Sequence, residues 1–154
     1  MAKKCFFTGH RDTPASIKPL LADIIERHIS EYGVTEFYVG SHGAFDALVT
    51  GVLAGMKQKY PSIHNYVVLA YHPSIKRIDV PVGFECTVFS DRQELIPPRF
   101  AVSRLNMTMI ADVDYLIAYV WKITAGSYKL MDAAIKLKEK GRLIITNLAT
   151  SQQA

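Results

Sequence analysis

Six short runs rich in β-branched and aromatic residues, at 4–8, 36–39, 66–71, 86–89, 115–120 and 142–146, are separated for the most part by segments whose apolar residues recur every three to four positions. The first pattern is that of strands, the second that of helices burying one face. Ile17, Leu20, Leu21, Ile24, Ile25, His28 and Ile29 form one helical stripe, and Leu48, Val52, Leu53 and Met56 another. A third follows Pro97 and Pro98, which a first turn tolerates, through Val102, Leu105, Asn106, Met109 and Val113, and the last helix spans 127–140, stopped by Gly141. Strands alternating with helices of this length demand right-handed crossovers. The fold class is therefore α/β, doubly wound, with a mainly parallel sheet of about six strands and helices on both faces. Residues 73–83, broken by Pro73, Pro81 and Gly83, fit neither period and read as a connection.

A chain of 154 residues, 49% hydrophobic and 21% charged, can bury roughly 70% of its unfolded surface around one core, so one domain is expected over 1–150 with a frayed tail at 151–154. No apolar run approaches the ~20 residues of a membrane span, and Met-Ala-Lys-Lys leads straight into a strand, so a cytoplasmic protein with no membrane partner is expected. Cys5 and Cys86 lie in strand-like runs and read as buried thiols suited to a reducing compartment. Of the +4 net charge, a visible share sits at Lys136, Lys138, Lys140 and Arg142, where it complements the end of the last helix and calls for no nucleic-acid partner. The five histidines, at 10, 28, 42, 64 and 72, are scattered, and neither CxxC nor HExxH occurs; no metal is expected.

In open α/β sheets ligands bind beyond the carboxyl ends of the strands, so the residues after each strand carry the functional argument. After the first comes Thr8-Gly9-His10-Arg11-Asp12, where Gly9 permits a sharp turn and Arg11 offers a planar fork for phosphate or carboxylate. His10 is either a donor to the ligand or a packed turn residue. After the second comes Gly40-Ser41-His42-Gly43-Ala44-Phe45-Asp46, two glycines around two polar residues before a helix, a plausible phosphate cradle of backbone N–H groups. It matches neither G-x-G-x-x-G nor the Walker pattern. With Gly43 as N-cap, Asp46 stands at the third helical position, where it either favours the helix start or recognises a ribose. After the fifth comes Trp121-Lys122-Ile123-Thr124-Ala125-Gly126-Ser127; Trp121 and Lys122 either cover a base and a phosphate or cap the sheet. A sheet ordered 3-2-1-4-5-6 leaves the approach of this third loop to the other two open. Asn106, in an apolar helix stripe, either binds neighbouring loops or reaches the ligand, while Arg104 falls off the stripe toward solvent.

Phe7-Thr8-Gly9-His10-Arg11-Asp12, Gly40 through Asp46, Arg104-Leu105-Asn106-Met107-Thr108-Met109-Ile110 and Ala125-Gly126-Ser127, in that order, resemble the SLOG superfamily, which includes the SMF/DprA and LOG families, and most of all its small stand-alone members of the YpsA type. The resemblance spans nearly the whole chain and implies a Rossmann-like fold with a pocket for a nucleotide or nucleotide-derived ligand, AMP- or ADP-ribose-like, at Gly9, His10, Arg11, Gly40, Ser41, His42, Gly43, Asp46, Asn106, Gly126 and Ser127. LOG enzymes cleave the bond between base and ribose phosphate with a Glu in a P-G-G-x-G-T-x-x-E motif; here Leu130 stands in that place. The expectation is therefore a nucleotide-like ligand binder or sensor without a further cofactor. The alternative is a nucleoside monophosphate N-glycosidic hydrolase in which Asp46 or His42 replaces the Glu. A second alternative, by analogy with DprA, is single-stranded DNA binding, set aside on the modest charge, so that nucleic acid is not an expected partner. Pairing into a homo-oligomer is expected by analogy with the class.

Overall fold

The computed structural model describes the backbone of residues 2–122 and 125–153 and the side chains of 2–122 and 127–150. Six strands, β1 (Lys3–Gly9), β2 (Val34–Val39), β3 (His64–Val68), β4 (Cys86–Val88), β5 (Tyr115–Tyr119) and β6 (Ile144–Asn147), form one sheet in the order β4-β3-β2-β1-β5-β6. Every pair is parallel. Helices α1 (Lys18–Ser30), α2 (Gly43–Lys59), α3 (Ala101–Asp112), α4 (Ala125–Glu139) and α5 (Leu148–Gln153) complete the domain.

Because both faces of a parallel sheet are covered, alternate residues of one strand serve two cores. In β1, Cys5 and Phe7 pack with Leu21, Ile25, Val49 and Leu53 of α1 and α2, while Phe6 packs with Leu105 and Ile110 of α3 and Ala134 of α4. In β5, Tyr115, Ile117 and Tyr119 face the first core, and Leu116 and Ala118 the second. Helix α5 adds Leu148 and Ala149 to the first core.

Two expectations are corrected here. The fourth strand does not enter beside the first; it pairs with β3 at the far edge, and β5 pairs directly with β1, Cys5 opposite Tyr115 through Gly9 opposite Tyr119. The cause lies in the irregular connection before β4. There Gly83, at φ +84°, lies so close to α2 that a Cβ would come within 3.0 Å of Ala54 Cα, and Asn65 Nδ2 donates to the Gly83 carbonyl at 3.1 Å. Tied to α2 and β3 in this way, the chain re-enters next to β3. Cys86, expected to be buried, is exposed on that edge strand, whereas Cys5 is fully buried.

Candidate functional site

The crossing point of the sheet lies between β1 and β5, where the connection after β1 runs to β2 on one side and the connection after β5 runs to β6 on the other. The parallel register brings Gly9 and Tyr119 side by side, so the loops after the first and fifth strands are neighbours. His10 fastens them. Its backbone N–H donates to the Tyr119 carbonyl at 3.3 Å, and its Nε2 accepts the backbone N–H groups of both Trp121 and Lys122 at 3.0 Å. A ring nitrogen that accepts carries no proton, so His10 is the neutral Nδ1–H tautomer. Its pKa is lowered by desolvation first and by nearby Lys122, against an opposing pull from Asp12. His10 is thus a loop clasp, and it lines the cleft as well. Asn147, absent from the sequence reading, makes a second clasp: its Nδ2 donates to the Val120 carbonyl at 3.0 Å, and its Oδ1 accepts from the N–H groups of Val120 and Ala149, each at 3.2 Å. An Asn closing a strand just before a helix start was the available signal.

The glycines act through close approach. Gly9 is the last residue of β1, without positive φ, and the turn follows it at 10–13, where the Thr13 N–H donates to the His10 carbonyl at 3.3 Å; a Cβ at Gly9 would collide with the Phe45 ring. At Gly40 a Cβ would lie 2.9 Å from Asp46 Oδ2, and at Gly43, with φ +89°, 2.6 Å from the Arg11 Cα. These contacts let the first two loops interlock. The N-cap of α2 is His42, one residue earlier than expected, which places Asp46 at the fourth helical position. Its carboxylate accepts the His42 N–H at 3.0 Å, and the Ala44 N–H donates to the Arg11 carbonyl at 2.9 Å. Two of the N–H groups of the expected phosphate cradle therefore hold the protein's own loops together.

Beyond these loops opens a cleft of about 670 Å³, within the range of small-ligand sites. Of the site residues expected from sequence, Gly9, His10, Arg11, Gly40, His42, Asp46, Asn106 and Ser127 line it, while Ser41 and Gly43 belong to the second loop but do not. Gly126 falls in the first turn of α4; its surroundings lie outside the described residues, as do Ile123 and Thr124. Asn106 is half-buried and borders the cleft rather than the core. Leu130, at the place of the LOG Glu, is a buried part of the wall.

The sequence reading missed most of the charge. Arg99, Arg104 and Lys129, all exposed, join Arg11 around the cleft, from the turn before α3, from α3 and from α4. Arg104 was read as a solvated group; it is exposed and borders the cleft. Against these four cations stands one carboxylate, Asp46, whose pKa burial raises to about 6, with the His42 N–H and Arg11 pulling it down. His42, edge-on to Tyr71 at 5.9 Å, has its pKa lowered by desolvation first and then by Lys76 and Arg11. Among the described residues no three His, Cys, Asp or Glu side chains gather as a metal site, and no helix is long and apolar enough to cross a membrane.

Neither a family model nor a curated protein matches the chain. A solved structure does: DNA processing protein A from Helicobacter pylori, described for its single-stranded DNA binding mode, superposes with a TM-score of 0.55 at 15% identity, covering 93% of this chain and 74% of that one. The fold is thus like that of DprA, the SLOG protein named in the resemblance. This finding overturns the expectation that nucleic acid is not a partner to look for, since a protein of the same fold binds single-stranded DNA. Net charge was the wrong guide. It sums over the whole surface, whereas binding depends on where cations converge.

Proposed function

We propose that this chain binds single-stranded nucleic acid, with a nucleotide unit and its phosphates in the cleft at the carboxyl ends of β1 and β5. The observation that carries this reading is the convergence of Arg11, Arg99, Arg104 and Lys129 from separate elements on a concavity whose one carboxylate is largely desolvated. Guanidinium groups suit phosphate because their planar donors can be shared by two oxygens. Val102, Leu105 and Leu130 give part of the lining an apolar character that suits a base or sugar ring. A neighbour of this fold that binds single-stranded DNA adds support.

A labelled oligo-dT titrated by fluorescence anisotropy tests the proposal, with a duplex of the same length as competitor. The single strand should bind better than the duplex, and Arg11→Ala with Arg104→Ala should weaken it at least ten-fold at low salt while leaving thermal stability within about 1 kcal/mol, as expected for exposed positions. Equal binding by the double variant would sink the reading.

The size of the cleft, about 670 Å³, also suits a second reading, a free nucleotide or nucleotide-derived ligand such as AMP or ADP-ribose, as for a small stand-alone SLOG protein of the YpsA type. Thermal shifts with those compounds but none with oligo-dT would select it over the first.

A further inference from the structure

We propose that Trp121 is a stacking platform for a nucleobase just outside the cleft, and that His10 is the positioning residue that presents it. The inference deepens the single-strand reading above and rests on it. Trp121 is 50% exposed and is not part of the cleft wall. A large indole in a strand-exit loop would ordinarily fold back onto apolar surface. Here the backbone is held instead: Trp121 and Lys122 both donate their N–H groups to His10 Nε2 at 3.0 Å, and the His10 and Trp121 rings meet edge to face at 5.5 Å and 79°. Lys122 is fixed in turn, its Nζ 2.7 Å from Asp12 Oδ2 and 5.0 Å from the centre of the indole.

A half-exposed indole on a held stretch of backbone, beside a cation, is the chemistry of single-strand binding. Every base offers a π-face, so stacking tolerates sequence, and the backbone follows the positive charge. Because His10 lines the cleft together with Arg11 and touches Trp121, the platform adjoins the cleft. A strand with one nucleotide in the cleft meets Trp121 with a neighbouring base. The backbone at Trp121 and Lys122 is held before binding, so little ordering of these two residues is required when the base arrives.

Trp121 is the only tryptophan of the chain, so its emission reports on this site alone. The experiment follows that emission and the anisotropy of labelled oligo-dT together in the full chain, with inorganic phosphate as a control. Oligo-dT should quench the emission and phosphate should not. Trp121→Ala should weaken oligo-dT about ten-fold and Trp121→Phe much less. His10→Ala, which keeps the indole but frees its loop, should reduce the quenching, and His10→Gln, with an acceptor in its place, should restore part of it. Oligo-dT that binds by anisotropy without quenching, and equally well to Trp121→Ala, overturns the platform and leaves the cleft reading standing. Equal quenching by phosphate also overturns it. No oligo-dT binding to the wild-type chain overturns both.

Discussion

Asp46 carries the least comfortable charge in the cleft. Its folded-state pKa, about 6, lies above the ordinary 3.8, so the folded chain holds this proton more tightly than the unfolded one. The stabilising contribution is fully present below the unfolded value and is lost as pH rises through 6. Asp46→Asn keeps an oxygen to accept the His42 N–H and removes the desolvated charge. It should therefore stabilise the protein at pH 7, by at most about 3 kcal/mol, and flatten the fall in stability between pH 4 and 6. Denaturant melts from pH 4 to pH 7 check both. A variant no more stable than wild type at pH 7 would show the charge to be better solvated than its surroundings imply. Gly9 makes a different demand. A methyl group there runs into the Phe45 ring, so Gly9→Ala should cost about 1–3 kcal/mol by overpacking and lower the melting temperature by several degrees. An unchanged melt would mean that α2 can shift away from β1.

The elements themselves were largely written in the chain. Strands with Phe6 and Phe7 back to back, or with Leu116 between Tyr115 and Ile117, are apolar on both faces and announce a covered parallel sheet. Stripes such as Leu21-Ile25 and Val52-Leu53 announce the helices that cover one face. Pairing order was less legible, because a strand's neighbour is set by how the preceding connection packs. Nothing local in Cys86–Val88 says that Gly83 will nest on Ala54 and Asn65 will hold the Gly83 carbonyl, yet those contacts send β4 to the far edge and leave β1 free to pair with β5. Helix α5, six residues long, is too short to show a period. The glycine-bearing loops after β1 and β2 could be found from sequence. That His10 would spend its acceptor on the loop after β5 could not, since the donors are Trp121 and Lys122, more than a hundred positions away.

At the scale of the whole molecule, two groups of basic residues differ in meaning. Lys136, Lys138, Lys140 and Arg142 are adjacent in sequence and easy to see; Lys136 pairs with Asp132 at 3.1 Å, and the group marks the end of α4. Arg11, Arg99, Arg104 and Lys129 are scattered in sequence and meet only in the fold. The second group borders a concavity. If about three of its cations contact phosphates, the logarithm of the single-strand binding constant should fall with the logarithm of salt concentration with a slope near −2. The most direct measurement is photo-crosslinking of a 4-thiothymidine oligonucleotide to the full chain, with the attached peptides identified by mass. Crosslinks at 9–11 and 99–106, competed away by unlabelled oligo-dT, are the predicted result; crosslinks confined to 136–142 would contradict the account.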